Sequence, residues 1–268
     1  MNQVMISADS TCDLPVDLQR QRHVYCFALS ILLGDTAYAD GVEIRPADIY
    51  ADVAENHRLP KTAAVPPGVY YDKFKQWTDA GCSVVHIGLS SAISSSYQNA
   101  CTAAAEFENV YVVDSRNLST GIALLVLDAA ERAEKGEDPK EIAALMRETA
   151  KKVEASFVID TLFYLQKGGR CSSVAVLGAN LLKLRPAIEV KDGRMGVCKK
   201  YRGTFEACVK AYIKDRLQGK TQLDLRRVFI THSGLPEQTV QKAVETVQSL
   251  QKFEEIDVTR AGCTVSSH

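Results

Sequence analysis

Short apolar runs alternate with amphipathic stretches through the first half of the chain, and this alternation predicts a parallel sheet covered by helices. Residues 4–8 and 25–33 read as strands, 83–88 (Ser-Val-Val-His-Ile-Gly) as a strand buried on both faces, and 110–114 as the next. Helical periodicity covers 46–56, 67–77 and 96–107, then 119–135 and 139–152. Pro46 and Pro67 stand at helix starts, where a missing N–H costs nothing. The rhythm changes near residue 152. A short strand is expected at 157–159, a short helix at 161–166, a break at Gly168-Gly169 and a helix at 174–183. Strands at 187–191 and 195–199 flank Asp192-Gly193, a strong hairpin-turn dipeptide. A helix at 205–218, a strand at 227–232, a helix at 236–251 and a strand at 256–260 complete the pattern. The expected fold class is α/β. Residues 1–152 form an N-terminal three-layer α/β/α domain with a parallel sheet. Residues 153–268 form a C-terminal α+β domain with a mixed sheet. No flexible linker separates the two, which predicts a fixed cleft, a common place for a ligand.

Composition narrows the function. The 268 residues carry 32 Lys+Arg against 33 Asp+Glu, a net charge of −1, and 46% are hydrophobic. That is the profile of a folded globular chain, and near-neutrality argues against a protein built to hold nucleic acid or an anionic membrane. No apolar run approaches the roughly 18 residues of a membrane span. The start, Met-Asn-Gln-Val-Met-Ile-Ser, has neither the basic segment nor the apolar core of a secretory signal, so the expected location is cytoplasmic. The eight cysteines show no Cys-x-x-Cys spacing, so no metal site or disulfide framework is expected, and the thiols should be reduced and mostly buried.

Candidate chemistry gathers at predicted strand ends, where parallel sheets bind ligands. These ends carry Asp9-Ser10-Thr11, the serine-rich stretch 90–96 and Asp114-Ser115-Arg116. One N-cap accounts for one serine of the five in 90–96; the surplus points to a carboxylate or phosphate at the head of the following helix. Gly88-Leu89-Ser90-Ser91-Ala92 falls one residue short of a nucleophile elbow, with Ala92 where the last Gly belongs. The alternative function is therefore a serine-dependent lipid hydrolase or acyltransferase acting through Ser90 or Ser94. It needs a base such as His86 or His232 in contact with that serine. Phosphate-loop and dinucleotide motifs are absent, so no nucleotide cofactor is expected. Arg170 follows the Gly pair, placed either to reach an anion or partner or to lie solvated on a turn. Lys199-Lys200-Tyr201-Arg202 reads as a solvated basic face.

Taken in order, Ile6-Ser7-Ala8-Asp9-Ser10-Thr11, Asp40-Gly41, Lys61-Thr62, Gly88-Leu89-Ser90-Ser91-Ala92-Ile93-Ser94, Val113-Asp114-Ser115-Arg116 and Gly168-Gly169-Arg170 give the chain its identity as a whole. In order and spacing they resemble the DegV family of bacterial fatty-acid-binding proteins, along essentially the full length. The resemblance implies two α/β domains holding one long-chain fatty acid between them. It implies no catalysis by the chain itself and no metal, but a partner: a separate ATP-dependent fatty-acid kinase that turns the presented carboxylate into acyl phosphate for phospholipid synthesis. Carried over by motif, Thr62 and Ser94 bind the carboxylate, with Ser95 and the terminal His268 close by, and Arg170 faces the carboxylate and the kinase. Stretches 25–33 and 174–182 are candidates to line the acyl tunnel, or are ordinary core; a binder of some other apolar carboxylate stays open. The chain departs from the family pattern in Ala63-Ala64-Val65-Pro66 after the Lys-Thr pair, in Ser95 where Gly is usual, and in ending at His268, where a Gly-rich segment is expected to follow.

Overall fold

The computed structural model describes residues 3–172 and 184–268. The expected helix at 174–183 and the tunnel-lining reading of 174–182 lie outside the described residues. The chain divides into two compact units. The first is Met1–Ala155 with Val190–Arg194 and Gly262–Ser267; the second is Ser156–Glu189 with Met195–Ala261 and His268. Neither return to the first unit is visible in the sequence pattern.

The first unit is built on a parallel sheet of β1 (Val4–Asp9), β2 (Val24–Phe27), β6 (Ser83–Gly88) and β7 (Val110–Asp114), in the order β2-β1-β6-β7. Every residue of β6 is buried, as a central strand covered on both faces requires. Two helix pairs supply that cover. α3 (Pro67–Asp79) and α4 (Ser96–Ala104) pack together and onto β6, while α5 (Thr120–Glu134) and α6 (Pro139–Ala150) pack together and onto β1, β6 and β7. α1 (Val16–Gln21) lies against β2, and a 3-10 turn at Ser10–Cys12 follows β1. Local chemistry sets several helix starts. Pro46 opens α2 (Pro46–Asn56), where the Asp48 carboxylate accepts from the Arg45 N–H at 2.9 Å; Asp138 caps α6 by accepting from Lys140 and Glu141 N–H.

The expected single strand at 25–33 is two strands in two sheets. β3 (Ser30–Leu33) pairs antiparallel with β4 (Thr36–Ala39) on one side and β5 (Lys61–Ala63) on the other. The apolar run is continuous, so its pattern shows no break. The break is made by polar partners: the Ser10 hydroxyl accepts from Leu29 N–H at 3.2 Å, and the Leu29 carbonyl accepts from Asp40 N–H at 2.9 Å. β4 and β5 are short and partly polar, and give no periodic signal.

The second unit carries β8 (Ala155–Val158), β9 (Leu184–Lys191) and β10 (Arg194–Arg202) in the order β10-β9-β8, and the parallel pair β11 (Arg227–His232) with β12 (Glu255–Arg260). Asp192 and Gly193 both have positive φ, 51° and 77°, as a two-residue hairpin turn of this hand requires. The short helix α7 spans Phe163–Gly168, two residues later than expected. α8 (Phe205–Leu217) starts under a Thr204 cap and packs on α9 (Glu237–Leu250) around Ile213, Ala243 and Val247. Among the described residues, no helix is long and apolar enough to cross a membrane. All eight cysteines are free; Cys198 is exposed, Cys26 and Cys101 are half-buried, and the other five are buried.

A last short helix, α10 (Cys263–Ser266), is fastened inside the first unit by two buried carboxylates. Asp40 accepts from the N–H of Cys263 (2.9 Å) and Thr264 (3.3 Å), the Thr264 hydroxyl (2.7 Å) and the Ser10 hydroxyl (2.9 Å). Asp13 accepts from the Gly262 N–H (2.8 Å) and the Ser119 hydroxyl (2.6 Å). Removing the Asp40 acceptor leaves several buried donors unpaired, so Asp40→Ala is expected to cost about 3 kcal/mol in urea unfolding. Asp13 adds a pH dependence. Burial raises it to about 7, against the pull of the Ser119 hydroxyl and Gly262 N–H, and the nearby Asp40 adds to the rise. A folded pKa above the unfolded one gives stability that is complete below about pH 4 and is lost as pH rises through about 7. Asn at this position is neutral at every pH and still accepts from Gly262. Urea titrations should therefore show the wild type losing stability relative to Asp13→Asn between about pH 4 and pH 8.

Candidate functional site

The serine-rich stretch forms the loop from β6 to α4. It leaves the sheet at Gly88, where a side chain would stand 3.5 Å from His86 Nε2 and 3.6 Å from the Asp9 carboxylate. Asp9, fully buried at the end of β1, accepts from Leu89 N–H at 2.8 Å and so fixes the first residue of the loop. Ser90 then donates its hydroxyl to the Gly193 carbonyl at 2.8 Å. Ser91 donates to Asp114 at 2.5 Å, and the same carboxylate accepts from Arg116 N–H. Arg116, held at φ 53°, reaches Asp192 at 2.7 Å. The hairpin turn at 192–193 therefore braces this loop within the first unit.

Ser94 stands half-buried just ahead of α4. Its Oγ accepts from Ser96 N–H at 3.2 Å, satisfying one of the free amides at the helix start, and lies 3.1 Å from the Ser96 Oγ. Ser95 occupies the N-cap position without a side-chain cap and is exposed. The surplus of hydroxyls that points to an anion in the sequence thus has a structural use as well. Ser90, Ser91, Ser94 and Ser96 all have protein partners. Thr62 lies half-buried in β5, opposite Ile31. The segment after it is tied to α4, because Asn99 Nδ2 donates to the Val65 carbonyl at 2.8 Å. Thr62, Ser94 and Ser95 are thus all in the first unit, and Arg170 and His268 in the second.

In the second unit, each residue of Gly168-Gly169-Arg170 has a reason. A Cβ on Gly168 would overlap the imidazole of His268. Gly169 ends α7 at φ 71°, in the left-handed region. Arg170 is exposed and donates Nη1 to the Gly168 carbonyl at 2.6 Å. Burial lowers His268 to about 4, and the Arg170 charge pushes the same way, so the imidazole is neutral at neutral pH. It offers a hydrogen bond there and no charge.

Neither candidate base meets a candidate serine. His86 Nδ1 lies 3.1 Å from the Ser7 hydroxyl among Phe27, Tyr70 and Phe74, and burial lowers its pKa. His232 Nδ1 accepts from Leu235 N–H at 3.1 Å in a turn of the second unit. The hydroxyl of Ser90 is committed to a carbonyl and that of Ser94 to Ser96. Among the described residues, no group of three or more His, Cys, Asp or Glu is placed to hold a metal ion.

Sequence reasoning missed Tyr70. The spacing of Tyr70, Phe74 and Trp77 marks the buried face of α3. It does not reveal that the Tyr70 phenol donates to the Asp9 carboxylate. Gly168→Ala tests the packing of His268 against the bare backbone of Gly168. The added methyl is expected to push His268 toward solvent and raise its pKa from about 4 toward 6.5, read by NMR titration of the imidazole.

The DegV family model, described as an uncharacterised protein family, matches residues 3–268. A DegV domain-containing protein of Clostridium acetobutylicum is 33% identical over 272 residues, spanning 100% of this chain and 95% of its own. A fatty-acid-binding DegV family protein of Thermus thermophilus superposes with a TM-score of 0.86 at 26% identity, covering 99% of this chain and 95% of that one. A fatty-acid-binding DegV family protein of Streptococcus agalactiae shares the fold at a TM-score of 0.88 and 21% identity, covering 100% and 95%.

Proposed function

Because the chain belongs to the DegV family, we propose that it binds a long-chain fatty acid and presents the carboxylate to a separate ATP-dependent kinase. The kinase makes the acyl phosphate used in phospholipid synthesis, and this chain performs no catalysis of its own. The observation that carries the reading is the half-buried Ser94 hydroxyl at the head of α4, on a loop braced at Leu89 and Ser90 and running into a helix that Asn99 ties to the segment after the strand of Thr62. The Thermus relative, described as binding fatty acid, supports the ligand class.

The chemistry suits the task. A carboxylate taken out of water must be hydrogen-bonded. Ser94 and Thr62 supply neutral donors, and Ser95 follows Ser94 in the same loop. A carboxylate held by neutral groups keeps its charge and its nucleophilicity for the attack on phosphate. A full salt bridge would blunt that nucleophilicity. Affinity comes from the tail: about 15 buried methylenes at roughly 0.8 kcal/mol each give about 12 kcal/mol gross, reduced by the costs of association and ordering. Arg170, exposed beside His268, faces the kinase.

Delipidated protein should bind saturated or unsaturated acids of roughly C14 to C20, and Ser94→Ala and Thr62→Val should each weaken binding about tenfold. Failure of the wild type to bind any of them overturns the reading. In an assay with a fatty-acid kinase and ATP, Arg170→Glu should lower acyl phosphate formation and leave fatty-acid affinity unchanged.

A further inference from the structure

Two of the free thiols face each other. Cys12 Sγ and Cys26 Sγ lie 3.7 Å apart within the first unit, Cys12 fully buried and Cys26 half-buried. The contact follows from the turn after β1. Cys26 lies on β2, the edge strand of the parallel sheet, with Ala8 of β1 as its register partner. Tyr25 and Phe27 pack against Trp77 and Phe74 of α3 on one face, so Cys26 points to the other. Beyond Asp9 the 3-10 turn folds the chain back: Asp13 N–H donates to the Ser10 carbonyl at 3.2 Å, with Asp13 at φ 50°. That reversal returns the Cys12 sulfur to β2. Cys198 and Cys263, by contrast, donate to the carbonyls of Ala187 and Ile44.

We propose that Cys12 and Cys26 form a reversible oxidation site, which hydrogen peroxide converts to a disulfide that staples the turn after β1 to the edge strand. The sulfurs must close from 3.7 Å to about 2.0 Å, a movement that rotation of the two side chains about Cα–Cβ supplies. The half-buried Cys26 is the one the oxidant reaches. Its sulfur attacks one peroxide oxygen, the O–O bond breaks, and the products are Cys26 sulfenic acid and water. The Cys12 sulfur then attacks the Cys26 sulfur. The S–O bond breaks, and the hydroxyl leaves with the Cys12 proton as a second water. Two electrons pass from the thiols to the peroxide. The Cys26 thiol and burial both push the Cys12 thiol well above its ordinary range, so it stays protonated and acts second. A dithiol reverses the bridge by exchange and is itself oxidised to a disulfide. The bridge closes a loop around α1 and fixes a turn whose neighbours Ser10 and Asp13 hold Asp40 and Gly262. No step involves a fatty acid, so the site stands apart from the functional reading.

The test is a peptide map of the whole chain, exposed to hydrogen peroxide, blocked with iodoacetamide and digested with trypsin without reductant. Trypsin cuts after Arg20 and Arg22, which puts Cys12 and Cys26 on separate peptides. The expected product is peptide 1–20 joined to the peptide that starts at His23, lighter than the two together by two hydrogen atoms and separated by dithiothreitol. Cys12→Ser is expected to leave Cys26 as a sulfenic acid that dimedone traps, and Cys26→Ser to leave Cys12 a free thiol under the same exposure. The bridged wild type is expected to unfold at a higher urea concentration than the reduced protein, a rise that Cys26→Ser does not show. Blocked free thiols at both positions overturn the proposal, as does a bridge from either to another cysteine, or Cys26 driven to sulfinic acid with Cys12 still free. A bridged chain that unfolds no later than the reduced one overturns the stapling. If Cys12→Ser fails to fold, the wild-type map decides alone.

Discussion

A carboxylate removed from water has to be surrounded by donors, and the first unit meets that demand three times around the end of β1. Asp9, Asp13 and Asp40 are all buried, and their donors come from distant parts of the chain. Tyr70 and Leu89 serve Asp9; Ser119 and Gly262 serve Asp13; Ser10, Cys263 and Thr264 serve Asp40. Apolar packing brings β1, β6 and the helices together, but it is non-directional. The carboxylates supply direction: they set where the 89–96 loop leaves the sheet, where the 3-10 turn after β1 sits and where the last helix lands. The serine loop is anchored at its start because Leu89 is bonded to a buried acid that Tyr70 also holds in place.

The same economy shapes the electrostatics near the proposed carboxylate site. In the first unit the candidate groups Ser94, Ser95 and Thr62 are hydroxyls; in the second, the His268 imidazole is kept neutral by burial and by the adjacent Arg170. Within the second unit, Arg170 and His268 divide the work: the guanidinium stays in water on an exposed turn, and the imidazole packs against the bare backbone of Gly168.

Much of this was legible from spacing. The central strand 83–88, the helices at 46–56 and 139–150 and the hairpin turn at Asp192-Gly193 follow from periodicity, proline placement and turn chemistry, because each is decided within a few neighbouring residues. The serine cluster at a strand end was visible as candidate chemistry for the same local reason. What stayed hidden was decided over long separations. Leu29 breaks an apolar run because Ser10 and Asp40 capture its backbone. The Tyr70 phenol and the Asp9 carboxylate meet across 61 positions of chain. Ser90 and Ser91, which look like spare donors, are engaged by Gly193 and Asp114, partners that no short window contains.

Closure of the first unit by residues 262–267 also imposes an order on synthesis. As the chain leaves the ribosome, the sheet β2-β1-β6-β7 has all its strands once β7 has emerged, yet Asp13 and Asp40 still lack the amides of Gly262, Cys263 and Thr264. Those amides come only after residues 195–261 of the second unit. Until they are made, Asp13 and Asp40 lack these donors, and the end of β1, beside the loop that carries Ser94, is not yet fastened. Residues 262–264 thus act as a late fastening: a chain that stops before them has the strands of the sheet but not the donors that settle the end of β1.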